Sequence, residues 1–153
     1  MARYNEGSLG RLVAQGKHET HGFDDSLVDA AARLIQRWGP QPSPTWVTAI
    51  PDRDPNGLVA AVARKLADRL SLEYVDAVHR TTDGRPQKEM ENSYMQAHNV
   101  ITAFSIATVR EGPVLLVDDI IDSRWTMTVI GNLLLQRGSG PVFPFGLSYA
   151  GND

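Results

Sequence analysis

Residues 113–128 read Pro-Val-Leu-Leu-Val-Asp-Asp-Ile-Ile-Asp-Ser-Arg-Trp-Thr-Met-Thr. In this stretch a short apolar run leads directly into two adjacent carboxylates, Asp118 and Asp119. The hydroxyls of Ser123 and Thr126 follow, where an apolar helical pattern begins. The order predicts a buried strand, a polar loop and the start of a helix. Ligands of open α/β sheets bind at the carboxyl ends of the strands, so this loop is a candidate binding site.

The residue types in this loop fit a phosphorylated sugar. A helix start offers N–H groups without intrahelical partners and the positive end of the helix dipole, which suits a phosphate. The neighbouring acids, including Asp122, suit sugar hydroxyls and a divalent cation. The structural alternative is an acidic strand-to-helix loop in which Asp122 or Ser123 only caps the helix.

Outside this stretch, strand-like and helix-like segments alternate. The predicted elements are a helix from Asp24 or Asp25 to Trp38, a strand at residues 46–50, a helix after Gly57, strands at 72–78 and 103–106, a helix ending at Gly138 and a strand at 142–149. Residues 1–23 are expected to form an irregular arm, and residues 87–100 are weakly helical. This alternation predicts an α/β fold with a mostly parallel central sheet flanked by helices.

Composition narrows the class of protein. The chain has 153 residues and a net charge of −3, which predicts one domain without a general attraction to nucleic acid. It has no cysteine, which excludes disulfides and thiolate metal sites and fits a reducing compartment. No apolar run is long enough to predict a membrane span. His18 and His21 have metal-like spacing, but no third ligand follows nearby.

Residues 114–126 resemble the phosphoribosyl pyrophosphate (PRPP) motif of the type I phosphoribosyltransferases. The resemblance implies a three-layer, Rossmann-like fold in which Asp118 and Asp119 face the ribose hydroxyls and hold Mg²⁺ indirectly. The residues that it implies for the 5′-phosphate are Asp122, Ser123, Arg124, Trp125 and Thr126. It also implies an acid/base role for Asp122. Arg124 stands where the family usually has glycine, which tolerates a positive φ more readily.

The same resemblance implies roles for two further loops. The loop at residues 52–57 would hold pyrophosphate, with Arg53 as its basic side chain. A mobile loop at residues 79–88 would close over PRPP, with Arg80, Arg85 and Lys88 supplying positive charge. The alternatives are a plain β–α turn for the first loop and a solvated surface loop for the second.

Other segments of the chain resemble one particular branch of this family. Residues 86–93 and 118–128 are the most specific parts of a likeness to the phosphoribosyltransferase-like domain found C-terminal to the core of bacterial RecQ-type ATP-dependent DNA helicases. This likeness implies an arm and helix at residues 1–44 packed on a core at 45–153, together forming one compact domain. It further implies a cytoplasmic, nucleoid-associated protein of DNA repair, with a helicase core in the same or another chain.

Two functions from different classes follow. The first is a domain that binds PRPP or a nucleotide and is accessory to the helicase. The second is an active, Mg²⁺-dependent phosphoribosyltransferase that joins a nitrogenous base to PRPP and releases pyrophosphate. A third, direct binding of single-stranded DNA, is disfavoured by the acidic net charge.

Overall fold

The computed structural model describes residues 2–3, 25–52, 57–81, 103–121 and 124–149. In chain order the elements are β1 (Ala2–Arg3), α1 (Asp25–Trp38), β2 (Trp46–Ala49), α2 (Leu58–Leu70), β3 (Glu73–Tyr74), β4 (Val78–Arg80), β5 (Phe104–Ile106), β6 (Val114–Ile121), α3 (Arg124–Gln136) and β7 (Val142–Tyr149). Strands and helices alternate along most of the chain, which confirms the predicted α/β class.

Within the described residues, the main sheet has five parallel strands in the order β1-β7-β6-β2-β3. Strand β6 lies at its centre, and Val114 to Val117 are fully buried because helices or strands cover both faces. Pairing with β2 ends where Val117 lies opposite Ala49, but pairing with β7 continues to Ile121. The last four residues of β6 therefore extend beyond β2 at the carboxyl edge of the sheet.

The two faces of the sheet carry separate layers. Val47, Leu115 and Val117 belong to an apolar cluster with α1 and α2. Their neighbours in the strands, Trp46 and Leu116 among them, belong to a second cluster with α3 and with β4 and β5. Because successive side chains of a strand point to opposite faces, this separation gives a three-layer architecture.

The helix ends follow the sequence signals. Helix α1 ends before Gly39, which has a φ of +58° and donates its N–H to the Ile35 carbonyl at 2.9 Å. Beyond α3, Gly138 has a φ of +104°, and the Ser139 N–H reaches the Leu134 carbonyl at 3.1 Å. The predicted ends of these two helices, at Trp38 and at Gly138, are both confirmed.

The prediction of one strand at residues 72–78 is wrong. Two short strands stand there instead, with β3 in the main sheet and β4 paired antiparallel with β5. Between them the Val75 N–H donates to the Val47 carbonyl at 2.9 Å, and the Ala77 N–H donates to the Thr48 hydroxyl at 3.3 Å. These bonds hold the chain as it leaves the main sheet and crosses to the smaller one.

The amino-terminal arm also differs from its prediction, because Ala2–Arg3 pairs in parallel with β7 and is not irregular. The weak helix predicted at residues 87–100 lies outside the described residues. None of the helices in the described ranges is long and apolar enough to cross a membrane.

Candidate functional site

The paired acids lie on the part of β6 that extends beyond β2. Asp118 is opposite Gly146 of β7 and is half-buried, whereas Asp119 is only 5% exposed. The Asp118 carboxylate accepts the Asp119 backbone N–H at 2.8 Å, which fixes the rotamer of the first acid. The structure thus places both predicted acids at the carboxyl edge of a central strand, where ligands of α/β sheets bind.

Helix α3 begins directly after this strand. Its first residue is Arg124, so two residues separate the end of β6 from the helix start. Asp122 and Ser123 are those two residues, and they lie outside the described part. In the first turn the Trp125 side chain is 38% exposed and Thr126 is half-buried. The predicted order of strand, loop and helix start is confirmed.

The helical position of Arg124 accounts for the missing glycine. In the described part of the chain, Ser71 is the one non-glycine residue with a positive φ. The Arg124 backbone therefore does not adopt the left-handed conformation for which glycine is needed. Arginine is accommodated because the helix already begins at this residue.

The start of the first loop, just after β2, is held by hydrogen bonds to β6 and α2. The Ile50 N–H donates to the Val117 carbonyl at 2.9 Å. Two residues later, the Asp52 carboxylate accepts the Val59 N–H in the first turn of α2 at 3.4 Å. One N–H at the start of α2 is therefore engaged by an internal acid. Arg53, the predicted pyrophosphate contact, lies outside the described residues.

The contact between Asp52 and α2 was not predicted from the sequence. The Val59 N–H that the Asp52 carboxylate accepts is seven residues away, beyond the spacing of an ordinary N-cap bond. The sequence signal for this contact was the acid Asp52 upstream of Gly57 and Leu58, where the helix begins.

Arg80 lies at the end of β4 and reaches the same loop. Its Nε donates to the Pro51 carbonyl at 2.9 Å, and its guanidinium carbon is 4.7 Å from the centre of the Phe104 ring. The structure thus brings one predicted basic residue to the first loop. Arg85 and Lys88, the other basic residues predicted for the mobile loop, lie outside the described residues.

A metal at this edge would depend on the two acids. Within the described ranges, no group of three or more His, Asp or Glu side chains could hold a metal ion. Mg²⁺ usually takes one or two carboxylates and completes its shell with water and substrate phosphates. Asp118 and Asp119 fit that pattern by donor type and by their place at the edge of the sheet.

Comparison with solved structures identifies the fold of this chain. No protein-family model and no curated protein matches the chain. A crystal structure of adenine phosphoribosyltransferase matches with a TM-score of 0.57 and 19% identity, over 82% of this chain and 68% of that one. Orotate phosphoribosyltransferase from Aeropyrum pernix matches with a TM-score of 0.52 and 20% identity, over 80% and 59%.

A larger enzyme also contains this fold. Glutamine PRPP amidotransferase from B. subtilis, complexed with ADP and GMP, matches with a TM-score of 0.55 and 20% identity. The match covers 80% of this chain but only 26% of that enzyme. The chain thus spans about a quarter of the amidotransferase and about two thirds of the adenine enzyme. These matches show that the chain has the three-layer phosphoribosyltransferase fold.

Proposed function

We propose that this chain binds PRPP or a related ribose phosphate at the carboxyl edge of its sheet. The observation that carries the proposal is the position of Asp118 and Asp119. They lie on the projecting end of β6, and two residues separate the end of that strand from the start of α3. In a phosphoribosyltransferase fold, this arrangement puts acceptors for sugar hydroxyls beside donors for a phosphate.

Each part of the edge has a chemical role in this proposal. The carboxylates of Asp118 and Asp119 accept hydrogen bonds from the ribose 2′- and 3′-hydroxyls. The first turn of α3, with the side chains of Ser123 and Thr126, donates to the 5′-phosphate. Trp125 offers an exposed aromatic surface at the same edge, suited to covering the sugar or a base.

The proposal includes Mg²⁺, which would bind together with PRPP. When bound, it would supply positive charge to the pyrophosphate group. Asp118 and Asp119 are the residues that would hold it indirectly.

Catalysis is the alternative within the same site. An active enzyme would break the bond between C1 of the ribose and the pyrophosphate oxygen and form a bond from C1 to a base nitrogen. Asp122 would then move a proton at the base. We expect Asp122→Asn to retain PRPP binding in either case. Release of pyrophosphate by the wild-type protein, lost in this variant, would establish the alternative.

The deciding experiment is calorimetric titration of the protein with PRPP and Mg²⁺. We expect the wild-type protein to bind and the Asp118→Asn/Asp119→Asn double variant to lose detectable binding. Asparagine at position 118 keeps a side-chain oxygen for the Asp119 N–H, so the variant should fold. A matched control, Asp68→Asn/Glu111→Gln, removes the same charge from two exposed acids outside the proposed site. Wild-type and double-variant proteins that bind equally would refute the site.

We further propose that the domain is accessory to a RecQ-type helicase core, as the resemblance at residues 86–93 and 118–128 implies. Support for this association comes from those sequence segments. The test is DNA unwinding by a bacterial RecQ-type core with and without the added chain, at saturating PRPP. An unchanged rate, together with no co-elution of the two proteins, would remove the helicase from the proposal.

A further inference from the structure

The exposed face of α1 carries two apolar side chains next to two arginines. Leu34 and Trp38 are 41% and 49% exposed, and they lie one helical turn apart. Arg33 and Arg37 each precede one of them, so the two exposed arginines are also one turn apart, on the adjacent side of the helix. These four side chains form one continuous surface, the α1 patch.

The aromatic side chain of the α1 patch is held in place from one side. The ring centroids of Trp38 and Phe143 are 5.9 Å apart and the ring planes meet at 83°, an edge-to-face contact. Phe143 is itself packed against the buried cluster of α1 and α2. Trp38 therefore has a fixed position while about half of its side chain faces solvent. A positioned tryptophan offers a large apolar contact area at a low cost in conformational entropy.

The two arginines of the α1 patch keep their charge available. The acids of the same helix are paired with α2, because Asp25 lies 3.0 Å from Lys65 and Asp29 lies 2.7 Å from Arg69. Within the described ranges, neither arginine of the patch takes part in an ion pair of this kind. The second half of α1 therefore presents two positive charges without acids of this chain to neutralise them.

We propose that the α1 patch is the docking surface for an acidic, amphipathic helix of a protein partner. Leu34 and Trp38 cover apolar side chains of that helix, and the two arginines pair with its carboxylates. The one-turn spacing within each pair matches a helical partner, in which apolar and acidic residues recur at the same spacing. Tryptophan and arginine are also the residue types that most often dominate the energetics of protein interfaces.

The chemistry of the α1 patch favours this occupant over two others. A second copy related by a two-fold axis would bring the same patch together from both chains and place arginines against arginines. Single-stranded nucleic acid binds grooves that offer many phosphate contacts and several stacking rings. The patch has two arginines and one aromatic ring, on a chain with a net charge of −3.

This inference is independent of ribose phosphate binding, because the patch contains none of the residues assigned to that function. The three tryptophans of the chain make its test specific to one surface. Trp38 is in the patch, Trp46 is buried with its indole N–H donating to the Gly112 carbonyl at 2.8 Å, and Trp125 is in the first turn of α3. Proton–nitrogen NMR of the whole chain follows each indole N–H, assigned from single Trp→Phe variants.

The probe is a synthetic peptide of about 18 residues, long enough to form a helix in water. It has Leu at three- and four-residue spacing, Glu beside each Leu and Ala elsewhere, and the control peptide has Lys in place of Glu. We expect the acidic peptide to shift the Trp38 signal progressively and to leave those of Trp46 and Trp125 unchanged. The lysine peptide should leave all three signals unchanged.

Two arginines at the ends of different helices give a matched pair of variants. Arg37 is in the last turn of α1 and Arg137 follows the last turn of α3, on the other face of the sheet, and both are exposed. We expect Arg37→Glu to weaken peptide binding about three- to tenfold, because it replaces attraction by repulsion, and Arg137→Glu to change it less than about twofold. Leu34→Ser should weaken binding by a similar factor to Arg37→Glu, because it removes apolar contact area.

Several outcomes overturn the inference. They are an unchanged Trp38 signal at about 1 mM acidic peptide, equal binding of the lysine peptide, or wild-type affinity in Leu34→Ser. Oligothymidylate that shifts the Trp38 signal at a lower concentration than the peptide would assign the patch to nucleic acid. A Trp38 signal that moves when the protein alone is diluted would assign it to a second copy. Failure to bind PRPP would refute the proposed function and leave this inference standing.

Discussion

Gly140 lies where two turns at the amino end of the sheet meet. A Cβ at this position would lie 2.8 Å from the Gly112 carbonyl carbon and 2.8 Å from the Pro113 nitrogen. Both neighbours are backbone atoms, which cannot rotate away. The Gly140 N–H also donates to the Gly112 carbonyl at 3.1 Å, so the two turns are already in contact. The strand that carries the paired acids thus starts from a turn that excludes any side chain at 140.

Gly140→Ala should lower the free energy of unfolding by about 1–3 kcal/mol, the usual cost of overpacking a rigid site. The control is Gly131→Ala in α3, where the new Cβ would lie 3.6 Å from a Val142 methyl carbon, an ordinary contact. Alanine is the better helix former there by up to about 1 kcal/mol. Urea unfolding of both variants checks the pair, and equal effects would contradict the assignment of the clash.

Some features of the candidate site could be predicted from the sequence and others could not. The positions of Asp118 and Asp119 at the end of a buried strand were predictable because they directly follow an apolar run. The hydrogen bond between Asp52 and Val59 was not predictable because it depends on how the loop folds back. The backbone conformation of Arg124 was equally hidden, since the resemblance indicated a glycine position and only the structure shows the helix starting there.

Among the elements, α2 ends on a strained residue. Ser71, which follows its last turn, has a φ of 57° and a ψ of 41°, in the left-handed region. The Leu72 N–H donates back to the Ala67 carbonyl at 2.9 Å, so the turn is held in this shape. Left-handed backbone costs a non-glycine residue about 1–2 kcal/mol.

Ser71→Gly should therefore raise the free energy of unfolding, by about 1 kcal/mol once the greater freedom of glycine in the unfolded chain is counted. Ser71→Ala keeps the Cβ and should give no such gain. Chemical denaturation of the two variants is the measurement. A gain in both would point to loss of the hydroxyl, and not to backbone strain, as the cause.

The long elements and the short strand β5 were predictable, but β1 and the division of residues 72–78 between β3 and β4 were not. Helices α1, α2 and α3 and strands β2, β6 and β7 follow from periodicity and from Gly and Pro signals. The chain at residues 72–78 is continuous in its strand-like pattern, yet it contributes to two sheets. The cause is tertiary, because the bonds that divide it come from β2, through the Val47 carbonyl and the Thr48 hydroxyl.

For the molecule as a whole, an exposed ion pair connects the edge of the main sheet to the chain that follows the smaller one. The Arg110 Nη2 lies 3.0 Å from a carboxylate oxygen of Glu73 in β3, and its Nε lies 3.2 Å from the other oxygen. These hydrogen bonds and the charge of Arg110 hold the pKa of Glu73 below its ordinary value. The stabilisation exists above the pKa of an unfolded-chain glutamate, about 4.3, and is lost as the pH falls through the lower folded-state pKa.

Glu73→Gln should thus lower the urea midpoint near neutral pH, and the difference from the wild type should shrink as the pH falls below about 4. High salt should shrink it as well, because both side chains are exposed. Glu111→Gln, which removes an acid next to Arg110 and leaves this pair in place, is the control. A difference that stays constant from pH 6 to pH 3 would contradict the ionic explanation.

The projecting end of β6 makes the two acids independent of the loop that follows them. Their backbone is fixed by the ladder with β7, from Asp118 opposite Gly146 to Ile121 opposite Tyr149. We therefore expect the backbone of Asp118 and Asp119 to stay in place when residues 122–126 are replaced. Under the proposed function, a glycine-containing loop grafted in place of Ser-Arg-Trp-Thr would change the contacts with the phosphate and leave those with the sugar. Ligand preference could then diverge through changes in a few codons, without changes in the hydrophobic interior.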